Sequence, residues 1–410
     1  MQINLSPTMK NKLNAYIAFI LIMTALLSSC DISDNEIAPD ASFFRIYDND
    51  LFQASFIPID VKQTGDGGYL ILGATRLDDS DFLGVYLLKA DENGQFVSEQ
   101  NLSSQFVHPV NSLIEFEDKF YFVAMEATSL QAHLFTLNSA GQLTDTAAIG
   151  GNVYYPLYAA ADENSIILHS YDNGDKRSVL SLVSTLGQVM NQIDFSIGAG
   201  DEVEAPIIEH FTRTGRQLPF SAGKMDNGLY FFNGFYNYTM SLVFTNFSSE
   251  DPNGVTQGQH DNGGISAVSH IAGNNFAIAR FNYGDNYILP KVELNVTGTT
   301  SSFDLAGNSF PELVPDAPVV VKKMSIDGKD ISLYGSHTKA GKIILMAYGA
   351  SSGELLGTKH LGYANPFEIA GFNATEDNGL IVAGATSVAD RFTRICLFKL
   401  TEDELVELVN

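Results

Sequence analysis

The chain has 410 residues, of which 45% are hydrophobic and 17% are charged, and this balance excludes a protein dominated by disorder. It carries 48 acidic side chains against 23 lysines and arginines, a formal net charge of −25. Sequence-independent binding of nucleic acid depends on basic side chains that neutralise phosphates, so this charge excludes a nucleic-acid partner. The length allows two or three ordinary domains or one large repeat architecture.

Residues 1–29 have the pattern of a secretory signal peptide. Lys10 and Lys12 precede an apolar run at positions 15–27, which is shorter than the roughly 20 residues of a membrane-spanning helix. The run ends in the sequence LSSC at positions 27–30, which resembles the lipobox of bacterial lipoproteins. The resemblance implies that Cys30 is diacylated and becomes the new N-terminus. An ordinary signal peptide followed by a chance cysteine is the alternative.

A short acidic tether, residues 30–42, follows the signal peptide. Its sequence DISDNE at positions 31–36 resembles the signal that exports Bacteroidota lipoproteins to the cell surface. This resemblance implies a lipid-anchored protein of the outer membrane that faces outward. Two other interpretations stay open. An aspartate after the lipidated cysteine indicates retention at the inner membrane in enterobacterial lipoproteins, and the segment also fits a plain solvated linker.

The mature chain contains an internal repeat. The sequence TGDGGYLILGAT at positions 64–75 matches TEDNGLIVAGAT at positions 375–386 without a gap. Each copy is an acidic, glycine-containing turn followed by an apolar strand. Weaker copies lie between them, and the seven units that result have a mean spacing of about 52 residues, which is close to the period of propeller blades.

Each unit also has the pattern of four strands, which we label A to D. In the first unit the strands are residues 57–63, 69–75, 85–90 and 96–102, and no long helical pattern follows the signal peptide. We therefore predict an all-β protein, a seven-bladed β-propeller of four-stranded antiparallel blades that occupies residues 43–410.

A propeller must also close its ring. Residues 43–47, ahead of the first unit, and residues 405–409, at the end of the chain, are both candidates for the outermost strand of the last blade. The sequence does not decide between them.

The repeat pattern, an acidic turn followed by GGY, an apolar strand and GAT, resembles the propeller repeats of secreted and lipid-anchored Bacteroidota proteins. The resemblance is clear in the first and last units and faint in the five between them. It implies the propeller fold, and it carries no catalytic residues to this chain.

In a propeller the B–C and D–A loops lie at one end of the ring, and the A–B and C–D turns lie at the other. Loops held by a rigid scaffold usually carry binding residues, so we predict that a ligand site lies at the B–C end. The candidate binding residues are polar and aromatic side chains of the B–C loops: Asp78, Asp79, Asp81, Tyr171, Asp172, Asp175, Tyr236, Tyr238, Tyr283, Asp285, Asp390 and Arg391.

Three kinds of chemistry fit these residues, beside ordinary solvated loops. Tyrosine rings among carboxylates and amides suit a polyhydroxylated ligand such as a glycan, although the chain has no tryptophan to offer a larger stacking surface. The acidic runs at 78–81 and 172–175 offer oxygen ligands for calcium, but neither completes a twelve-residue calcium loop. Carboxylates that converge near the ring axis would allow glycan hydrolysis.

No motif in the sequence points to a catalytic residue, a metal site or a cofactor. The eight histidines show no metal-ligand spacing, and the nucleophile-elbow and phosphate-loop motifs are absent. With Cys30 lipidated, Cys396 is the only thiol. Its apolar, strand-like neighbours predict a buried residue rather than a nucleophile.

One interval of the repeat, 64 residues, is longer than the others. We attribute the extra length to a long A–B loop at positions 212–228, at the end of the ring opposite to the B–C loops. The segment is basic and aromatic in an acidic chain, and we predict that Arg213, Arg216 and Phe220 dock a partner. A tolerated insertion without function is the alternative.

Together these features predict a surface-exposed outer-membrane lipoprotein that is not an enzyme. We expect a binding or scaffold module, accessory to a nutrient-uptake complex with an outer-membrane transporter as its partner. The alternative is a propeller enzyme that acts on glycans through its loop carboxylates. No cofactor is expected, and calcium is the one metal that the loops suit.

Overall fold

The described part of the chain folds almost wholly into short antiparallel strands. The structure, a computed structural model, describes residues 41–48, 55–76, 80–198, 200–213, 216–260, 262–388 and 392–410. The predicted site residues Cys30, Asp78, Asp79, Asp390 and Arg391 lie outside these ranges. None of the helices within them is long and apolar enough to cross a membrane.

The strands form where apolar and β-branched runs lie between tight turns. In β3 (Tyr69–Arg76) every residue except Arg76 is buried. The turn before it is closed by a hydrogen bond of 2.8 Å from the Thr64 amide to the Gly68 carbonyl. A glycine or asparagine with positive φ recurs in such turns, because the left-handed backbone strains most other residues.

The strands fall into groups that follow the order of the chain, and we number the groups in that order. The first two groups, joined by a short strand, are β2 (Phe56–Gln63), β3, β4 (Leu83–Ala90) and β5 (Phe96–Asn101), then β6 (Phe106–Val107), then β7 (Ile114–Phe116), β8 (Lys119–Glu126), β9 (Ala132–Leu137) and β10 (Leu143–Ala148). The next two are β11 (Pro156–Asp162), β12 (Ser165–Asp172), β13 (Arg177–Ser184) and β14 (Val189–Ser196), then β15 (Ser221–Lys224), β16 (Tyr230–Tyr236), β17 (Thr239–Thr245) and β18 (Gly254–Gln257).

The rest of the chain continues this order. Its strands are β19 (Gly263–Ala272), β20 (Asn275–Asn282), β21 (Asp285–Glu293), β22 (Thr299–Ser301), β23 (Asn308–Ser309), then β24 (Val320–Ile326), β25 (Lys329–His337), β26 (Ile343–Gly349) and β27 (Leu355–Leu361), then β28 (Phe367–Ala374), β29 (Leu380–Val388) and β30 (Phe392–Leu400). The first strand of the described chain, β1 (Phe43–Tyr47), joins the last of these groups.

Most of these groups are four-stranded antiparallel sheets in which neighbours in sequence pair with each other. The exceptions are local. Strand β6 joins β4 to β8, so that groups 1 and 2 share one nine-stranded sheet, and β22 adds to β18 in parallel. Apolar clusters lie between adjacent groups, as expected for blades that pack face to face.

The predicted fold class is confirmed: the protein is an all-β propeller of four-stranded antiparallel sheets. The blade number of seven depends on dividing the shared sheet at β6, and it stays a prediction. The A–B and C–D turns of the first unit are found where the sequence placed them, between β2 and β3 and between β4 and β5.

Strand β1 closes the ring. It pairs in antiparallel register with β30, from Phe43 opposite Lys399 to Tyr47 opposite Ile395. The ring of Phe43 covers Gly94 in the β4–β5 turn, where a Cβ would lie 2.4 Å from it, and the hydroxyl of Tyr47 donates to the Gly94 carbonyl at 2.9 Å. Residues 43–47 therefore supply the outermost strand of the last group and attach it to the first.

Within the described residues two helices accompany the strands, whereas the sequence shows no long helical pattern after the signal peptide. Helix α1 (Asp201–Thr212) lies between β14 and β15, and α2 (Glu402–Val409) ends the chain. Residues 405–409 are thus helical and not the closing strand. A capping box fixes the start of α2, with Thr401 accepting from the Glu404 amide at 3.2 Å while the Glu404 side chain accepts from the Thr401 amide at 3.1 Å.

The first and last groups each contain a buried lysine that bonds to the repeat turn. The Nζ of Lys399 donates to both carboxylate oxygens of Asp377, at 2.9 and 2.7 Å, and the Nζ of Lys89 donates to one carboxylate oxygen of Asp66 at 2.7 Å. Burial alone would raise the pKa of each carboxyl, but the hydrogen bonds from lysine, threonine and backbone lower it overall. The aspartate of the repeat is therefore a hydrogen-bond acceptor for a lysine on strand C.

We expect Lys399→Met to lower the free energy of unfolding by about 2 kcal/mol, because it leaves the Asp377 carboxylate without its buried partner. Urea denaturation measures the change. The control is Lys359→Met, which breaks a surface pair with Glu404 and should cost about 0.5 kcal/mol or less.

The pKa of Asp377 is lowered on folding. The contribution of Asp377 to stability is therefore complete above the ordinary pKa of 3.8 and is lost as the pH falls through the lowered value. Equal losses in the two variants would contradict the role assigned to Lys399.

We expect Phe43→Ala to lower the free energy of unfolding by about 3 kcal/mol, since it removes a buried ring from the closure of the propeller. Phe96→Ala is the matched control, because the Phe96 side chain is 55% exposed and its removal should change stability by less than about 0.5 kcal/mol. Thermal and urea denaturation of both variants measure the difference. A Phe43 variant as stable as the control would show that β1 does not hold the ring closed.

Candidate functional site

A cavity of about 560 Å³ lies among the inner strands of the ring. Its walls come from the A strands β2, β7, β11 and β24 and from the turn between β7 and β8. The ionisable and phenolic side chains that line it are Asp60, Lys62, Glu115, Glu117, Asp118, Tyr158 and Lys322. The volume lies within the range of about 300–1,000 Å³ that is usual for ligand sites.

A network centred on Asp60 forms one wall of this cavity. One carboxylate oxygen of Asp60 accepts from the Leu113 amide at 3.0 Å and the other from the Asn373 side chain at 3.2 Å. The Nζ of Lys322 lies 3.8 Å from Asp60 and donates to Asn373 at 3.1 Å. Groups 1, 2, 6 and 7 therefore meet at one buried carboxylate.

Burial changes the acid–base behaviour of two neighbours of Asp60. Desolvation lowers the pKa of Lys322, and the nearby Asp60 carboxylate opposes that change. Burial, together with the negative charge of Asp60, raises the pKa of Tyr158 to about 12. The wall thus brings the Tyr158 phenol, the Asp60 carboxyl group and the Lys322 amine to the cavity.

The rim of the cavity is more exposed and more acidic. Lys62 lies 3.6 Å from Glu115, while Glu117 and Asp118 form the β7–β8 turn, both with positive φ. This turn is an A–B turn, so the cavity lies toward the end opposite to the B–C loops. None of the residues predicted to bind a ligand lines it.

This site was hard to predict from the sequence pattern. Asp60 and Asn373 are 313 positions apart, and nothing in the strand that contains either residue points to the other. The one available signal was a charged side chain at an inner-strand position in several units. Lys62, Glu115 and Lys322 share that signal, but charges on a strand are usually solvated.

The structure does not gather the described B–C residues into one pocket. Tyr171 is buried, whereas Asp81, Tyr238, Tyr283 and Asp285 are exposed and Tyr236 is half-buried. Asp172 accepts from the amides of Gly174 and Asp175 at 2.8 and 3.1 Å, so this carboxylate closes its own loop. The binding role of these residues stays a prediction.

The predicted docking loop is not one loop, and its placement at the A–B end was wrong. The described part of residues 212–228 contains the end of α1, strand β15 and a short turn. The long repeat interval comes instead from α1, a D–A insertion at the B–C end. We did not predict this helix because Pro206, in its interior, is unfavourable in helices.

Each of the three predicted docking residues is buried or contacts another part of the propeller. Phe220 is buried. Arg216 lies 3.4 Å from Asp316 and packs over the ring of Phe281, with 4.3 Å between the guanidinium carbon and the ring centre. Burial lowers the pKa of Arg213 to about 10.

No group of three or more histidine, cysteine, aspartate or glutamate side chains within the described ranges could hold a metal ion. Cys396 is buried, as the sequence predicted, and burial raises the pKa of its thiol well above the ordinary value. A thiol that stays protonated is a poor nucleophile.

The chain is similar to several solved structures at low sequence identity. No protein-family model matches the chain, and no curated protein matches it. Among solved structures, the C-terminal WD40 domain of Sif2 is 10% identical, over 84% of this chain and 96% of that one, with a TM-score of 0.42. The β-propeller domain of the Trilobed protease from Pyrococcus furiosus is 9% identical, over 87% and 98%, with a TM-score of 0.44. BamB from Moraxella catarrhalis is 10% identical, over 84% and 97%, with a TM-score of 0.35.

We expect Asp60→Ala to lower the free energy of unfolding by about 2–4 kcal/mol, because it leaves the Leu113 amide without its acceptor and Lys322 without the carboxylate beside it. Asp118→Asn, at the exposed rim, should change it by less than about 0.5 kcal/mol, because asparagine also tolerates the positive φ of this position. Adding Lys322→Met to Asp60→Ala should cost less than the two single losses together, since both remove the same interaction. Strict additivity in urea denaturation would show that the two residues are not coupled.

Proposed function

We propose that the protein is a non-catalytic binding module, held at the outer membrane by lipid on Cys30 and facing outward, accessory to a nutrient-uptake transporter. The observation that carries the proposal is the polar cavity at the centre of the ring. Its volume suits a ligand or an inserted segment of a partner, and its walls combine donors and acceptors from several blades.

The state of the buried carboxylate favours binding over catalysis. Glycoside hydrolysis needs a carboxylic acid that donates a proton to the leaving group. Asp60 accepts hydrogen bonds from the Leu113 amide and the Asn373 side chain and lies 3.8 Å from Lys322, so donors of the protein itself already hold both of its carboxyl oxygens. The Asp60 carboxylate is therefore suited to be a fixed hydrogen-bond acceptor in the wall of a binding site.

The acidic rim indicates what kind of group the cavity would accept from a partner. Glu117 and Asp118 are both exposed beside it, so that donors on a transporter loop would meet carboxylates at the mouth. Such contacts would orient the partner, while the network around Asp60 would hold the inserted group.

Affinity purification of the tagged, lipidated protein from mildly solubilised outer membranes, followed by mass spectrometry, tests the proposal. We expect an outer-membrane transporter in stoichiometric amounts. A Glu117→Lys/Asp118→Lys variant should lose it, because the mouth of the cavity changes charge, whereas the control Asp175→Lys, at the opposite end, should retain it. Cys30→Ala should abolish membrane attachment.

Two results would overturn the proposal. The first is recovery of the protein alone from membranes that contain it at normal levels. The second is glycan hydrolysis by the purified protein that disappears in Asp60→Asn, which would establish the enzyme alternative.

A further inference from the structure

Helix α1 covers part of the B–C end of the ring. Val203, Ile207 and Phe211 recur every four residues along it and form one buried stripe. The stripe packs on apolar side chains from groups 2, 3 and 4, together with the connection that follows the helix: Val107, Met125, Leu157, Tyr171, Ile197, Leu218, Phe220, Phe235 and Met240. The helix is therefore a cap over an apolar surface of the propeller.

The helix itself is poorly built to stand alone. Its N-cap is Gly200, which provides no side-chain hydrogen bond, and Pro206 lies in its interior. Proline lacks the amide that the helical ladder needs, and twelve residues are marginal for an isolated helix. The cap thus depends on its docked face to remain folded.

Three buried histidine rings lie at that face. His210 belongs to α1, His108 follows β6, and His169 is on β12. The ring centres of His108 and His210 are 5.7 Å apart, and Phe211 lies 4.5 Å from His108. The ring of Phe220 lies between the rings of His210 and His169, and its centre is 4.9 Å from the centre of His210 and 5.5 Å from that of His169.

The geometry requires His210 to be neutral. Its Nδ1 accepts a hydrogen bond of 3.0 Å from the Leu218 amide, so this nitrogen carries no proton. A proton there would remove the acceptor and place a charge among aromatic rings. Neither ring nitrogen of His169 has a hydrogen-bond partner among the described residues.

Charged neighbours add to the cost of a second cation. Arg213, at the C-terminal end of α1, acts on both His108 and His210, and His108 and His169 both act on His210. Other described groups near the interface include the phenols of Tyr155, Tyr158 and Tyr171 and the ion pair of Lys176 with Glu204, at 2.6 Å. Glu204 is thus already paired with a lysine.

We propose that α1 is an acid-releasable cap: protonation of His108 and His210 detaches the helix and uncovers the apolar surface beneath it. Above neutral pH the rings are uncharged and the helix is docked. Below it, the equilibrium shifts toward the released state, because a ring exposed to water ionises more readily than a buried one. The inference goes beyond the proposed binding function and does not depend on it.

The sign of the effect follows from proton linkage. Burial, aided by Arg213, lowers the pKa of His108 from 6.5 to about 3, and burial lowers that of His169 to about 3 as well. Burial, together with His108, Arg213 and His169, also lowers the pKa of His210. The released state therefore binds more protons below pH 6.5. At pH 5 each ring that ionises only on release shifts the equilibrium about 30-fold toward it.

Hydrogen exchange with mass spectrometry on the full mature chain tests this proposal, with rates corrected for the intrinsic effect of pH. We expect the amides of α1 to exchange at least about 30-fold faster at about pH 5 than at about pH 7.5, while those of β29 do not change. The double variant His108→Gln/His210→Asn should lose this response, because its amides keep hydrogen-bonding groups but cannot ionise. His360→Asn is the control, since the ring of His360 is exposed and bonded to Glu312 at 2.7 Å.

Three outcomes would overturn the proposal. They are α1 exchange that does not respond to pH in the natural chain, α1 exchange that rises only together with that of β29, and a pH response that persists in a folded double variant. If the double variant fails to fold, which the exchange of β29 reports at about pH 7.5, the comparison of α1 with β29 in the natural chain still decides.

Discussion

The structure depends first on the closure of its ring. A propeller of antiparallel sheets leaves its first and last blades to be held together by something other than chain connectivity, and here strand β1 does so through its ladder with β30. The contact is reinforced at both ends. Phe43 and Tyr47 reach the β4–β5 turn of the first group, and Asp48 pairs with Arg394 at 2.6 Å. Because closure joins opposite ends of the chain, its entropic cost is large and must be offset by these few contacts.

The same constraint explains which parts of the fold could be predicted. Turn residues and alternating apolar runs act locally, so the strands β3 and β29 and the turns before them follow from the sequence pattern alone. The roles of Lys89 and Lys399 do not, because a lysine inside an apolar strand gives no sign that its partner is in the preceding turn. Helix α2 was taken for a candidate strand, although its start carries a local helix signal. Thr401 and Glu404 form a capping box, a local signal that outweighed the strand propensity of the residues after it.

The candidate site was not predictable for a physical reason. The sequence pattern draws attention to loops, where polar residues collect, but the cavity is lined by inner strands that each contribute one or two polar side chains. Asp60 becomes a site only when Leu113, Lys322 and Asn373 arrive from three other groups. Helix α1 was not predicted because Pro206, in its interior, is unfavourable in helices, and docking on the propeller overrides that preference.

The two ends of the ring therefore use burial in opposite ways. Toward the A–B end, buried charges are retained because each meets a partner from another blade, as Asp60 meets Asn373 and the Leu113 amide. Toward the B–C end, the buried histidines have no anionic partner among the groups that face them, so they fold only as neutral rings. A fall in pH leaves the first kind of burial intact until carboxylates protonate, but it acts on the second as soon as histidine begins to ionise in water. The propeller thus combines an end whose charges are fixed by pairing with an end whose packing depends on the absence of charge.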